Sequence, residues 1–561
     1  MGIIIGVLLP TLLSVNIGIL VLQKSTYFRS LNENTNVSIG YFLGLSVNIV
    51  LIRIIDAIAK NFFISLYLVT VLEIIYIILN LKLLKCFFKK FSVLNYLKIV
   101  SATCFVYFLL FFFWTRDLSQ PNEPIGTFGT LHSYRYAWLS NVMVECNIVP
   151  TVGQNTGQSM LAAISSVISN TQQPYFYLGA WLSLSMTMFF VLIKNILILF
   201  GLNQKTSGFA SALFMCLGCS LSFKFISVVD SGYPLFLNGY TDIILGTAIF
   251  LLVCYILITK TENKSNNFDN FIVFSFFSCS YFVAPQNILI LGLFFTLTLL
   301  LSKWISVLKF FAIRTAATVF AIASVLSIPL GGFFSPSKLQ SQIKIPDVEP
   351  VNKLTIDFLP GYPFQAMTNK KSDQQGEHLI MQLLENLQKP NSEPQIKLWA
   401  IIDFMVSNVL AITVPLLGFL IIFAVRNNVK VFEKKFTMIY ISKKPILRIL
   451  SFSIIIQALV PSLLRISDYK WELTRFALPF FVVGNLLFSV LTIRSLFNNS
   501  VKKRLYIITA SLALIGPLTY LSSTIFVNAS NFRETYEHKT YFGYGPEVNG
   551  SICRALLNVS G

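Results

Sequence analysis

Charge is what this sequence has least of. Asp, Glu, Lys and Arg together make up 12% of its residues, where a soluble domain carries roughly a quarter. The shortage is greatest for acids, 24 against 43 bases, and only three histidines occur. Nowhere is there a polar stretch extensive enough to form a separate soluble domain. The surplus of bases gives a formal charge of +19, yet Lys and Arg lie between hydrophobic runs and form no aromatic-interleaved stripe, which excludes a nucleic-acid surface. Eight cysteines are present. Cys216 and Cys219 form a C-x-x-C inside FASALFMCLGCSLSF, without a second pair or a βαβ setting, so zinc and dithiol chemistry are excluded. Internal repeats are lacking too, which counts against the two-halved solute-transporter folds. The first apolar run, from Ile3, has neither a basic leader nor a small-residue cleavage site and is expected to persist as a helix.

What fills the chain instead is hydrocarbon. Over 561 residues, 55% are hydrophobic and the mean hydropathy is +0.70. A spanning helix needs about 20 mostly apolar residues. Candidate spans fall at 3–22, 40–56, 62–81, 98–114, 176–200, 208–228, 242–259, 271–284, 286–302, 311–330, 398–425, 449–466, 476–493 and 505–526. The expected fold is an all-α polytopic membrane protein of about 14 helices, within a range of 11–14, with two large exterior loops bearing short juxtamembrane helices. The divisions are N-terminal helices 1–114, a first exterior loop 115–175, central helices 176–330, a second exterior loop 331–397, C-terminal helices 398–527 and an exterior tail 528–561.

Basic residues orient the array. Intervals 82–98, 426–448 and 494–504 are rich in Lys and Arg and are expected in the cytoplasm by the positive-inside rule. Alternation then places 115–175, 229–241, 331–397, 467–475 and both termini outside, as expected for a bacterial plasma (inner) membrane protein with its site on the periplasmic face. Cys146 and Cys553 are the cysteines this topology leaves outside, so they are candidates for a disulfide in an oxidising compartment.

Ionisable residues within spans are costly and mark either pairing or function. Arg53 and Asp56, three apart, share a helical face and can neutralise each other. Glu73, Lys194, Lys224 and Asp403 stand alone, and Asp403 lies within two turns of the exterior end of its span. A stripe of Met160, Leu161, Ile164, Val167 and Ile168 reads as a juxtamembrane helix, as does one of Leu379, Ile380, Leu383, Leu384 and Leu387.

Most polar chemistry of the first third lies in one stretch, Thr115 to Gln158, which holds Arg116, Asp117, Glu123, His132, Arg135 and Glu145 directly after FLLFFFW. A long loop on a rigid scaffold is a usual place for binding or catalysis. The late exterior turn SLLRISDYKWELTRFALPF adds Arg465, Lys470 and Arg475, cations suited to a lipid phosphate or to an interfacial belt.

The Asp at the start of the first stretch, the following LHSYRYAWLSNVMVECNIVPTVGQNTGQSML and the later LTRFALPF resemble the GT-C glycosyltransferases, multi-span enzymes that use polyprenyl-phosphate-linked sugars. Asp117 matches their early acidic residue, His132 a histidine of some bacterial branches, and Arg475 the Arg of a basic-aromatic-Leu-Pro motif. The chain departs from the family in carrying three spans before the one that leads to Asp117 and a lone acid instead of a pair. The resemblance implies an inverting hexosyl or pentosyl transfer to a glycan, lipid or protein acceptor. Asp117 would be the base, Arg475 with Arg465 would hold the carrier phosphate, and His132 and Arg135 would position acceptor or phosphate. Neither a nucleic-acid partner nor an obligatory cofactor is implied, and a divalent metal is compatible. Two other classes stay open: a polysaccharide polymerase or ligase, disfavoured because 331–397 has lysines and no Arg, and a lipid or sugar-lipid transporter.

Overall fold

The computed structural model describes residues 2–92, 139–150, 156–170, 176–199, 267–283 and 311–328, together with shorter pieces that include 356–358, 464–466 and 553. The chain opens with α1 (Gly2–Lys24) and the single turn α2 (Thr26–Arg29), followed by the long α3 (Glu33–Ala59) and by α4 (Phe62–Leu79). Stretches of α1, α3 and α4 are long and apolar enough to cross a membrane. Their outward residues are hydrocarbon: Tyr67, Leu68, Val71, Leu72, Ile75 and Ile78 on α4 are all exposed. An apolar face of that extent is stable only against lipid. The chain is an integral membrane protein.

Capping chemistry sets the turns. Asn32 starts α3 by accepting from Asn34 N–H at 3.0 Å, and Asn61 starts α4 by accepting from Ile64 N–H at 2.9 Å. Between α3 and α4 stands only the pair Lys60-Asn61. Lys60 adopts a left-handed φ of 48° and returns its N–H to Asp56 O, so a helix C-terminus and a helix N-terminus are satisfied within two residues. At the far end of α4, Asn80 Nδ2 donates to Tyr76 O at 2.8 Å, and the chain turns into α5 (Leu81–Lys90).

Helix α5 lies where the sequence reading placed a cytoplasmic loop. Leu84 and Phe87 are buried while Lys82, Lys85, Lys89 and Lys90 are exposed, the division of an interfacial amphipathic helix. Helix α3 also exceeds its expected span of 40–56 at both ends.

The most extensive packing joins α1 to α3, and small residues make it possible. A Cβ on Gly18 would strike the backbone of Gly40, and one on Gly44 would strike the backbone of Ser14. Such close approach is how membrane helices gain van der Waals contact, since burial from lipid supplies no hydrophobic drive between them.

Four further helices of the described bundle have defined bounds: α6 (Thr156–Ser169), α7 (Phe176–Leu199), α8 (Asn267–Val283) and α9 (Phe311–Ser327). The expected juxtamembrane helix is α6, but it is no surface element. Every residue from Thr156 to Ser166 is buried, packed among α1, α7 and α8. Its serine-rich face is accepted inside because the hydroxyls find partners: Trp181 Nε1 donates to Ser165 Oγ at 2.8 Å, and Ser169 hydrogen-bonds Tyr177. Similar small-polar contacts tie Tyr41 to Ser185 across α3 and α7 at 3.0 Å, and Tyr281 to Ser324 across α8 and α9.

Strands β1 (Ile356–Phe358) and β2 (Leu464–Ile466) form one antiparallel pair, with Asp357 opposite Arg465. Neither was expected. β2 occupies the end of the span predicted at 449–466, and β1 lies in the interval 331–397 that reads as mostly loop.

Candidate functional site

The first polar stretch is anchored through its second half. Residues 139–145 are helical, with Leu139, Val142 and Met143 buried, and 146–150 run on as an irregular, bent segment against the α3–α4 turn. Asn147, at φ 54°, clamps that turn twice: its carbonyl accepts from Phe62 N–H at 2.9 Å and its Oδ1 from Phe63 N–H at 2.8 Å. Both are otherwise orphan donors of a helix N-terminus.

Behind this contact lies the intramembrane pair expected to neutralise itself. Arg53 and Asp56 are 2% and 8% exposed. The Arg53 guanidinium donates to Pro150 O at 3.3 Å and Val149 O at 3.5 Å, and it lies 5.2 Å from the centroid of the Phe282 ring. Asp56 accepts from the Val149 N–H. One fork and one carboxylate therefore grip consecutive peptide groups of the stretch, which turns a self-neutralising pair into a mount for 149–150.

One residue before Asn147, Cys146 is bonded to Cys553 across 407 residues of sequence, with the Cα atoms 5.1 Å apart. The C-terminal tail is thereby tied to the same end of the bundle as the α3–α4 turn. The opposite end, where Lys24, Tyr76 and α5 meet, carries the lysines of α5.

Of the other candidate residues, Arg465 stands in β2 opposite Asp357, which brings the second large interval beside the start of the late turn. Asp117, His132, Arg135, Asp403, Lys470 and Arg475 lie outside the described residues. The stripe from Leu379 to Leu387 and Lys224 also lie outside them. Lys194 is half-buried on α7. Among the described residues, no group of three or more His, Cys, Asp or Glu side chains forms a metal centre.

A second polar feature crosses the bundle. Asn48 of α3 donates to Ser14 Oγ of α1 at 2.9 Å and hydrogen-bonds the Glu73 carboxyl of α4. Glu73 stands alone in the sequence; Asn48 and Ser14 went unmarked because their spacing to it is tertiary. The signal available was an Asn in the middle of an apolar helix, a residue that in membranes serves as interhelical glue.

Comparison of the chain with family models, with curated proteins and with solved structures gives no match in any of the three.

Proposed function

We propose that this protein is an integral-membrane glycosyltransferase of GT-C type. It moves a sugar from a polyprenyl-phosphate carrier to an acceptor on the face that bears the Cys146–Cys553 bond. The observation that carries the reading is the contrast between the two ends of the bundle. A disulfide belongs to an oxidising compartment, and a lysine-rich amphipathic helix to the cytoplasmic surface. The α5 lysines belong to the charge pattern of the whole sequence, and the disulfide supports the same orientation on a separate ground. The stretch from Thr115 to Gln158, which contains Asp117, is anchored through Asn147, Val149 and Pro150 at the disulfide end.

On that face the chemistry is direct. The acceptor hydroxyl loses its proton to the Asp117 carboxylate as its oxygen attacks the anomeric carbon, and the carbon–oxygen bond to the carrier phosphate breaks. Charge gathers on the departing phosphate and is met by Arg475 and Arg465, with His132 and Arg135 orienting the reactants. The β1–β2 pairing supports a role for the late turn by holding the backbone at Arg465 beside the second large interval.

The test is release of the carrier. Purified full-length protein in proteoliposomes is offered hexosyl and pentosyl polyprenyl phosphates with a membrane extract as acceptor source. Liberated polyprenyl phosphate with at least one donor is the expected result. Absence of release with every donor, from protein whose Cys146–Cys553 bond is intact, would remove the transferase reading.

A further inference from the structure

Between α1, α3, α4 and the start of α8 lies a cavity of about 540 Å³, within the size range of small-molecule sites. Ile17, Val21, Leu72, Tyr76, Phe268 and Phe271 supply most of its wall, and among its lining residues Glu73 carries the one carboxyl group. Its axial reach follows from α1: Ile17 lies two turns from Lys24, about 10 Å along the helix.

Two observations define what the cavity lacks. Glu73 is 5% exposed, and while Asn48 hydrogen-bonds its carboxyl, Oε1 has no hydrogen-bond partner. A carboxyl oxygen buried in hydrocarbon without a donor is expensive, and the expense is removed by a donor or a cation brought to it. The second observation concerns the rim. The Lys24 ammonium stands 4.8 Å from the Tyr76 ring centroid and 5.4 Å from that of Phe268, and both rings line the cavity. The rim faces therefore already hold a cation in the manner of an aromatic cage. Carboxyl below, ring faces above and hydrocarbon between make a site with a preference for positive charge carried on an apolar body.

We propose that this cavity binds a lipophilic ammonium, a protonated amine with an alkyl body. Its N–H donates to Glu73 Oε1 and its chain lies along Ile17, Val21, Leu72 and Phe271. Lys24 competes with the ligand for the rim faces and repels it. An anionic amphiphile would behave in the opposite way, gaining from Lys24 and losing against Glu73. The site is independent of the proposed sugar transfer, because it uses none of the residues assigned to that reaction.

The test is photoaffinity labelling of the full-length protein in lipid nanodiscs with a diazirine-bearing decylammonium. The matching diazirine decanol and decyl sulfate are run beside it, and adducts are located by peptide mass spectrometry. Adducts from the ammonium are expected on residues 17–24, 47–51, 72–76 and 267–271, competed by unlabelled decylammonium. Glu73→Gln should lower this labelling at least about tenfold, as expected when one partner of a buried charge pair is removed. Lys24→Gln should raise it, and Val47→Phe, which adds bulk from a buried wall of the cavity and leaves Glu73 in place, should abolish it. Folding of each variant is read from the intact Cys146–Cys553 bond. The proposal is overturned if the alcohol or the sulfate labels the cavity as well as the ammonium does, or if no probe labels it. Labelling unchanged in Glu73→Gln, or lowered in Lys24→Gln, would overturn it as well.

Discussion

Arg53 illustrates how a buried charge in a membrane protein is made tolerable. Its fork meets two carbonyls, Asp56 lies one turn away and the Phe282 face covers it. Removing one member of such a set leaves the other charge uncompensated, at about 3–5 kcal/mol, whereas replacing both by apolar groups of similar volume costs far less. Arg53→Ala should therefore lower the thermal unfolding midpoint in detergent much more than the double variant Arg53→Met with Asp56→Leu. Both variants should become more protease-sensitive near Pro150, since both lose the mount. Equal stability loss in single and double variants would mean that the pair does not act as a unit. The spacing of Arg53 and Asp56 made their mutual neutralisation legible in the sequence. The grip on Val149 and Pro150 was not, because it joins residues about a hundred positions apart through backbone atoms that no side-chain pattern records.

Helices were legible to the extent that their periodicity was one-sided. The spans of α1 and α4 follow directly from hydropathy, and α5 was obscured because its lysines were read for topology before its Leu84 and Phe87 were read for period. Helix α6 is more deeply buried than its sequence suggested, for a different reason. Its serines suggested an interface with water, but a serine hydroxyl is satisfied by a neighbouring helix or by its own backbone, as Ser169 is by Ser165 O at 2.7 Å. The α1–α3 contact yields a graded prediction at this scale. A Cβ on Gly40 would meet its nearest neighbour at 3.1 Å, whereas at Gly18 and Gly44 the collision is with facing backbone that cannot swing aside. Gly18→Ala and Gly44→Ala should each cost about 1–3 kcal/mol by overpacking. Gly40→Ala should cost clearly less, as ranked by midpoints of thermal unfolding in one detergent. A reversed ranking would show that α1 and α3 are not held by this close approach.

For the whole molecule, the Cys146–Cys553 bond joins the first polar stretch to the tail across 407 residues of sequence. Loss of a native disulfide costs about 2–5 kcal/mol. Cys146→Ser, Cys553→Ser and the double variant should be destabilised equally, since each removes the same bond. Additive losses would mean that the two cysteines act separately. The pairing was foreshadowed only through topology, which left these two cysteines on one face, and the β1–β2 ribbon was not foreshadowed at all, because strands of three residues carry no readable period. Orientation can be checked by reporter fusions: one after Lys435 should score cytoplasmic and one after Lys353 exterior, and the reverse would invert the face on which transfer is proposed. The account rests finally on the carboxylate at the start of the anchored stretch. The decisive measurement is the rate of polyprenyl phosphate release by Asp117→Asn relative to the parental protein, at matched amounts of disulfide-intact protein. Loss of a general base lowers a rate by about 10²–10⁴-fold, so the variant should bind the donor yet turn over at least about a hundredfold more slowly. Near-parental release by Asp117→Asn would contradict the account.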